Sequence, residues 1–412
     1  MFLTKLAFKN LARHRNRTLI TASIIAFAVF FYILMDSLIG GMTEMSYQSI
    51  IDFEAGHLQI VNRKYWEEED KLQLENLITI DKSMMAAARK VEGYRAASPE
   101  LSFQARLSNG VNELPVTGRG IIPGDFLKVF ALGDRFVEGK MFSSGEYQAV
   151  MGKRLADLLK LKTGDYITLL VKDKNDTFNT IEAEITGLAH TGNPNVNQNI
   201  VYLPLDIAQR ALNVGNQVSK VLVKLTDKER AFEVAKRLEN KIKTYDSGLA
   251  VYSWDQLEAA SVAKAKQMGN QLVLVIILFI AAVAITNTVI LSALERMEEI
   301  GMMKAMGLQN KEVIYTFALE STGIGILGGV SGVLMGLAGV GLFSRFGVDF
   351  SFMTNIDMTA FGIPVIGKIY GAWNPRAFLE VFTFGVFVSL LSSIPPAYWA
   401  ADKDPVKAIN HK

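Results

Sequence analysis

The stretch that decides the fold is Glu295-Arg296-Met297-Glu298-Glu299-Ile300-Gly301-Met302-Met303-Lys304-Ala305-Met306-Gly307. This charged segment of mostly helix-forming residues lies between two long stretches without charge. Before it, Gln267–Leu294 is 28 residues without Lys, Arg, Asp or Glu, and after it residues 321–344 add another 24. About 20 apolar residues are enough to cross a bilayer, so both flanks are predicted to be membrane spans. The charged stretch is then a short segment on one face of the membrane.

The composition indicates a membrane protein with a large water-soluble part. Half of the 412 residues are hydrophobic and 20% are charged, yet the mean hydropathy is only +0.22. A net charge of +2 argues against a nucleic-acid partner. The absence of cysteine excludes disulfides, thiolate metal sites and a cysteine nucleophile.

Two further spans are predicted, at the uncharged stretches 18–35 and 381–401. Residues 1–17 carry five Lys or Arg and no acid, which places the N-terminus in the cytoplasm by the positive-inside rule. A signal peptide is the competing interpretation, but no small-x-small cleavage site follows Met35. Four spans also return the C-terminus to the cytoplasm.

We therefore expect four transmembrane α-helices, with a large extracytoplasmic α/β domain of two subdomains between the first two. The predicted segments are an interfacial helix 1–17, a first span and stalk 18–43, the α/β domain 44–266, a second span 267–294, a cytoplasmic helix 295–312, a third span 313–345, an outer loop 346–376, a fourth span 377–401 and a tail 402–412. The second span would be about 42 Å long against roughly 30 Å of hydrocarbon, so we expect part of it to project as a stalk.

The third span is rich in glycine at small-xxx-small spacing, as in Gly328, Gly332 and Gly336. This spacing lets helix backbones approach closely, either within this chain or at a dimer seam, and the sequence leaves both open. Glu320 lies in the same helix. We expect its carboxylate to snorkel to the interface, with an ion pathway as the alternative.

The α/β domain shows strand patterns at 57–61, 166–171, 181–186, 200–203, 220–225 and 249–252, a hairpin around residues 108–110, and helices at 83–91, 154–161 and 228–243. Ser83 is the predicted N-cap of the first of these helices. One segment, 189–199, is polar with little charge. It is either an ordinary hairpin loop or a finger that grips a partner.

No catalytic constellation is found. There is no phosphate-binding G-x-x-x-x-G-K-[ST], no H-E-x-x-H and no G-x-S-x-G, and the four histidines lack metal-ligand spacing. We therefore expect no enzyme, no resident cofactor and no metal in this chain.

Several motifs together resemble the MacB/FtsX-like class of ABC transporter permeases. They are Lys9-Asn10-Leu11-Ala12-Arg13 before span one, Met151-Gly152-Lys153-Arg154-Leu155-Ala156, the charged segment after span two, and Pro396-Ala397 followed by Asp404-Pro405-Val406. The resemblance implies two permeases in a bacterial inner membrane, identical or sister chains, with two cytoplasmic ATPases that bind ATP and Mg²⁺. It also implies that the charged segment is a coupling helix, whose contact residues in this chain would be Glu295, Arg296, Glu299, Ile300, Met303, Lys304, Met306 and Gly307.

The size of the α/β domain, and the run Gly-His-Leu-Gln-Ile at 56–60, resemble the lipoprotein-releasing (LolC/LolE-type) permeases within that class. That resemblance implies a mechanotransmitting permease that passes lipoproteins to a periplasmic carrier. The carrier would bind the loop of Gly192, Asn193, Pro194, Asn195, Val196 and Asn197. The lipid cargo would enter a cavity lined by Phe27, Phe30, Phe31, Leu272, Ile276 and Phe279, although the same six residues fit ordinary lipid-facing positions.

Two other functions stay open. A non-transporting regulator would relay the state of an ATPase to an extracytoplasmic enzyme or efflux partner with the same mechanical parts. A membrane-anchored scaffold would not need the charged segment at all, so Glu295→Lys would then have no effect.

Overall fold

The computed structural model describes residues 15–243, 246–295, 297–349 and 367–402, together with 7, 9–11, 13 and 359. These described residues form two compact units. The membrane unit consists of the described residues within Met1–Thr43, Lys266–Phe350 and Lys368–Lys412. The α/β unit consists of those within Glu44–Ala265 and Ser351–Gly367. Residues 7, 9–11, 13 and 15–17 are helical, and the other residues of the predicted interfacial helix lie outside the described ones.

The helices are α1 (Arg15–Ile50), α2 (Arg63–Glu67), α3 (Lys82–Arg89), α4 (Pro123–Val129), α5 (Lys153–Leu159), α6 (Pro194–Asn199), α7 (Leu205–Ala211), α8 (Ala231–Ile242), α9 (Glu258–Leu294), α10 (Met297–Ala305), α11 (Asn310–Phe346) and α12 (Pro375–Asp402). A π-helical turn, Ile51–Ala55, follows α1 directly.

The strands are β1 (Leu58–Asn62), β2 (Ile78–Thr79), β3 (Tyr94–Ser108), β4 (Glu113–Ile121), β5 (Phe136–Gly139), β6 (Gln148–Gly152), β7 (Tyr166–Lys172), β8 (Phe178–Ala189), β9 (Ile200–Pro204), β10 (Gln217–Val218), β11 (Lys220–Leu225), β12 (Leu249–Ser253), β13 (Val348–Asp349) and β14 (Lys368–Ile369).

Among the described residues, four helices are long and apolar enough to cross a membrane: α1, α9, α11 and α12. The helix α9 begins at Glu258, so it extends beyond the uncharged stretch that starts at residue 267. The charged segment between α9 and α11 forms the nine-residue helix α10. These elements give the four-helix membrane protein that the sequence predicts.

The glycine face of α11 packs inside this chain. A Cβ on Gly328 or Gly332 would lie within 2.7 Å of a backbone carbonyl oxygen of α1, and one on Gly329 would lie 2.8 Å from the Phe382 ring of α12. Contacts this close leave no room for a side chain. The alternative that the sequence left open, packing against the chain's own first and fourth spans, is therefore what the structure shows.

The expected snorkelling of Glu320 is wrong. This side chain is only 4% exposed, and Asn10 donates a hydrogen bond from Nδ2 to its Oε1 at 2.6 Å. A carboxylate in the membrane region is costly unless polar groups surround it. The amide of Asn10 supplies such a partner, so Glu320 stays inside the bundle.

The α/β unit is built on one ten-stranded mixed sheet, in the order β12-β1-β11-β3-β4-β9-β6-β8-β5, with β7 paired to β3 and β8. The predicted hairpin around residues 108–110 is confirmed, because Ser108 pairs with Glu113 across β3 and β4. Two separate hydrophobic clusters pack on this sheet. Each cluster contains residues of both expected halves, so the two halves share the sheet and its hydrophobic core. Ser83 is not an N-cap, since α3 begins one residue earlier and Asp81 occupies the cap position.

Candidate functional site

The helix α10 offers an exposed surface made of small and apolar side chains. Met302 is 51% exposed and Met306 is 74% exposed, and they are four residues apart on one face. Ala305 and Glu295 are exposed as well. Gly307 ends the helix with a positive φ of 100°, which favours glycine, and its amide bonds to the Lys304 carbonyl. Met302 and Met306 therefore form a small exposed apolar surface next to the helix end at Gly307.

The opposite face of α10 is bound to the membrane unit. Met303 is only 8% exposed and packs with Ala293, Val313 and Ala401, which belong to α9, α11 and α12. Lys304 donates a hydrogen bond from Nζ to the carbonyl oxygen of Ala401. The prediction that Met303 lies on a partner-facing surface is therefore wrong, and Lys304 has a partner within the chain.

The other predicted contact residues are Arg296, Glu299 and Ile300. Glu299 is half-buried. Arg296 and the side chain of Ile300 lie outside the described residues. Met302, which the sequence analysis missed, replaces Met303 on the exposed face beside Met306. The i to i+4 spacing of these two methionines is the signal that would have found it.

The polar segment 189–199 is neither an open hairpin loop nor a projecting finger. Its residues 194–199 form the short helix α6, and Asn193, Val196 and Asn197 are buried. The Asn197 side chain accepts from the Thr191 amide at 2.8 Å and donates to the Thr191 carbonyl at 2.7 Å. Polar residues form a packed element here because they satisfy one another.

Asn195 and Asn199 of this segment line a groove of about 550 Å³, together with residues of β3, β4, β7 and β8. Gly192, Pro194 and Asn195 are half-buried. In this conformation a partner can reach the edge of α6 but not Asn193, Val196 or Asn197.

The six residues predicted to line a lipid cavity lie on the surface of α1 and α9. Five of them are exposed: Phe27, Phe31, Leu272, Ile276 and Phe279. The sixth, Phe30, is half-buried beside Gly339 of α11. The opposite face of α9 packs instead into a cluster with α1, α11 and α12. Exposure of this kind fits both a lipid-facing surface and one wall of a cavity completed by another subunit.

The structure also contains an apolar cavity of about 540 Å³ between α1 and α11 that the sequence did not indicate. Its walls include Leu34, Leu38, Leu342 and Phe346.

A buried charge cluster in the α/β unit was not found from the sequence either. Glu100 is fully buried, and its Oε1 lies 3.7 Å from Arg119 Nε and 3.8 Å from Lys220 Nζ. Arg119 Nη2 lies 3.8 Å from Glu54 Oε1, and Lys220 Nζ lies 2.8 Å from Glu69 Oε1. Two cations and three carboxylates therefore share one interior site.

The surrounding carboxylates favour the protonated forms of the two cations, Arg119 and Lys220. Burial is the largest single effect and disfavours the charge on Arg119, but Glu100, Tyr202 and Glu54 with the other acidic groups around it together outweigh burial and raise the pKa of the guanidinium. The pKa of Lys220 is raised in the same way, with Glu69 as the main opposing charge to burial. His57 behaves differently: burial, aided by the positive charge of Lys224, lowers its pKa to about 4, so this side chain is neutral at pH 7.

Two sequence families match the chain. Residues 18–241 match the family described as MacB-like periplasmic core domain, which covers more than half of the chain, and residues 272–405 match the FtsX-like permease C-terminal family. The chain belongs to the MacB/FtsX-like permeases of ABC transporters. The helix α10 lies within the second match, between two membrane helices of this permease.

The relatives of this permease carry two kinds of name. A Neisseria meningitidis protein named lipoprotein-releasing system transmembrane protein LolC is 22% identical over 271 residues, covering 64% of this chain and 65% of the relative. A LolC of Xylella fastidiosa is 23% identical over 333 residues, covering 77% and 78%. A macrolide export ATP-binding/permease protein MacB 2 of Aeromonas hydrophila is 25% identical over 423 residues, covering 98% and 60%. The permease thus spans just under two thirds of the Neisseria relative and less of the Aeromonas one.

Solved structures of this class match the permease weakly. The periplasmic region of MacB from Actinobacillus actinomycetemcomitans aligns with 50% of this chain and 93% of its own at 14% identity and a TM-score of 0.36. The extracellular domain of the noncanonic ABC-type transporter YknZ from Gram-positive bacteria gives 13% identity, 48% and 98% coverage, and a TM-score of 0.34. Neither alignment, at TM-scores this low, shows more than a weak likeness.

Proposed function

We propose that this permease carries force from a cytoplasmic ABC ATPase to its α/β unit, and that it works in lipoprotein release. Two copies, or one copy and a sister permease, would bind two ATPase subunits, which bind ATP and Mg²⁺. The α/β unit and the loop before α12 would lie outside the cytoplasm, and both termini and α10 inside, as the basic N-terminus indicates. ATP-driven closure would then displace the membrane helices as rigid bodies.

The single observation that carries this proposal is the two-sided character of α10. One face is anchored to α9, α11 and α12 through Met303 and Lys304, and the other face exposes Met302 and Met306. Large apolar side chains exposed beyond the membrane helices mark a protein contact. A helix that is fixed to the bundle on one side and open on the other is suited to pass a push from a partner into the bundle.

Lipoprotein release is supported by the names of the LolC relatives, while the MacB relatives carry an export name. The exposed side chains of Phe27 and Phe31 on α1 and of Phe279 on α9 suit one wall of a cavity for acyl chains. A periplasmic carrier would bind at the edge of α6. The alternative is a regulator that uses the same coupling helix without moving lipid.

The test is copurification of the full chain with the ABC ATPase encoded nearest to it. We expect a stable complex that is lost in the double variant M302E/M306E and weakened by Glu295→Lys. Val137→Glu, the same kind of change at an exposed position of the α/β unit, should leave the complex intact. If no ATPase binds, or if the methionine variants bind as well as the parent, the coupling function is wrong.

The cargo is tested in the same preparation. Acylated protein that copurifies with the complex and is released by ATP supports lipoprotein release. A complex that hydrolyses ATP and never carries acylated protein supports the regulator.

A further inference from the structure

The π-helical turn at the end of α1 is hydrogen-bonded to the segment 191–199. Its Glu54 accepts two hydrogen bonds from that segment: Asn193 Nδ2 donates to Oε2 at 2.8 Å, and Asn195 Nδ2 donates to Oε1 at 2.6 Å. The Glu54 side chain is only 20% exposed. Hydrogen bonds to an ionised carboxylate are among the stronger ones in proteins. Glu54 is thus the contact that ties this turn to the start of α6.

The backbone of the segment depends on the same asparagine. Asn193 Oδ1 accepts from the amides of Asn195 and Val196 while its Nδ2 is bound to Glu54. Asn193 is therefore oriented by Glu54 at one end and caps α6 with the other. Removing the carboxylate frees the cap.

Arg119 gives the turn a second possible arrangement. Its guanidinium lies 3.8 Å from Glu54 and 3.7 Å from Glu100, and within the described part of the chain its Nε and Nη1 have no hydrogen-bond partner. The guanidinium is thus shared at long range between a carboxylate on the turn and one on the sheet. A cavity of about 330 Å³, lined by Glu54, Arg119 and Asn195, leaves room for a shift of either group.

We propose that Glu54 is a lock on the partner-binding segment 192–199, and that displacement of the turn 51–55 opens it. When Glu54 moves away, Arg119 keeps Glu100 as a counter-charge, and Asn193 and Asn195 lose their acceptor. The segment then exposes amide-rich side chains that are buried in the locked form, for a protein partner that offers hydrogen-bonding groups. This inference rests on the proposed function, because α1 is the continuous helix through which a displacement would reach the turn.

The lock is tested by amide hydrogen exchange on the full chain in nanodiscs without any ATPase. The reporters are the amides of 191, 193, 195, 196 and 197, each of which donates a hydrogen bond within the segment. Glu54→Ala should speed exchange of these amides at least tenfold. The matched control is Asp52→Ala, on the same turn, whose carboxylate binds Lys224 and Gln48 instead. It should change these amides less than twofold.

A charge exchange separates a lock from a general loss of packing. Asn195→Asp alone should also speed exchange at least tenfold, because two carboxylates then face each other. The double variant E54Q/N195D restores a donor and an acceptor and should return exchange to within about threefold of the parent. Equal effects of E54A and D52A, or no rescue in E54Q/N195D, would overturn the lock. Since no ATPase is present, this result is independent of whether the copurification test succeeds.

Discussion

Gly332→Ala tests whether the glycine face of α11 belongs to the interior of this chain. The new Cβ would lie 2.6 Å from the Ala26 carbonyl oxygen and 2.7 Å from Val29 Cβ, and real Cβ atoms essentially never approach within 3.0 Å. One of these neighbours is backbone, so the helix α1 itself must move. Overpacking of this kind costs about 1–3 kcal/mol, partly offset by up to about 1 kcal/mol from replacing glycine in a helix.

The expected net loss is about 1–2 kcal/mol, which lowers the melting temperature by several degrees at roughly 2–4 °C per kcal/mol. The assay is thermal unfolding of the detergent-solubilised chain, with light scattering to follow its oligomeric state. Gly341→Ala is the control, because its Cβ would meet only Trp373 at an ordinary 3.9 Å, and its melting temperature should hold or rise. If G332A instead keeps its melting temperature and dissociates a dimer, the glycine face is a dimer seam and the packing argument fails.

Three further outcomes concern other buried residues: His57, Arg119 and Met303. Buried, neutral His57 contributes to the stability of the folded state above pH 6.5. Because burial lowers its pKa to about 4 in the folded state, this contribution of about 3 kcal/mol is lost as the pH falls from 6.5 to 4. His57→Phe should therefore flatten the pH dependence of the unfolding free energy in that range. Arg119→Met should lower the unfolding free energy by about 3–5 kcal/mol because it removes one of the two cations that face buried Glu100, and R119M/E100L should cost less than R119M alone in a denaturant titration. Met303→Ala should lower the melting temperature of the full chain through a cavity worth about 2–5 kcal/mol, whereas Met302→Ala should leave it unchanged.

The membrane architecture follows from the sequence because hydropathy alone sets it. Gln267–Leu294 is 28 residues without charge, and the hydrocarbon core of a membrane is the environment that accommodates such a run. The side of α10 that faces outward could not be derived in this way. Met303 and Met306 are both methionines in a short helix, and only the positions of Ala293 and Ala401 decide which of them is covered.

The buried charges show the same limit in the α/β unit. Lys220 lies directly opposite Glu100 in the β11–β3 ladder, and Arg119 lies opposite Ser102 on the neighbouring strand. These residues are far apart in sequence, so their meeting depends on strand order, which no local pattern contains. The segment 189–199 was misjudged for a related reason. Its polar composition is typical of a loop, but those side chains are satisfied by one another and by Glu54.

We propose that α10 passes force between a partner ATPase and the membrane helices. Cysteine-directed crosslinking tests whether α10 contacts that ATPase. The chain has no cysteine, so M302C, M306C and M303C each carry a single thiol for a photoactivatable maleimide. In membranes that contain the partner ATPase, the account predicts ATPase adducts from the probes at 302 and 306 and none from the buried position 303. No ATPase adduct from 302 or 306, or equal adducts from all three, would contradict it.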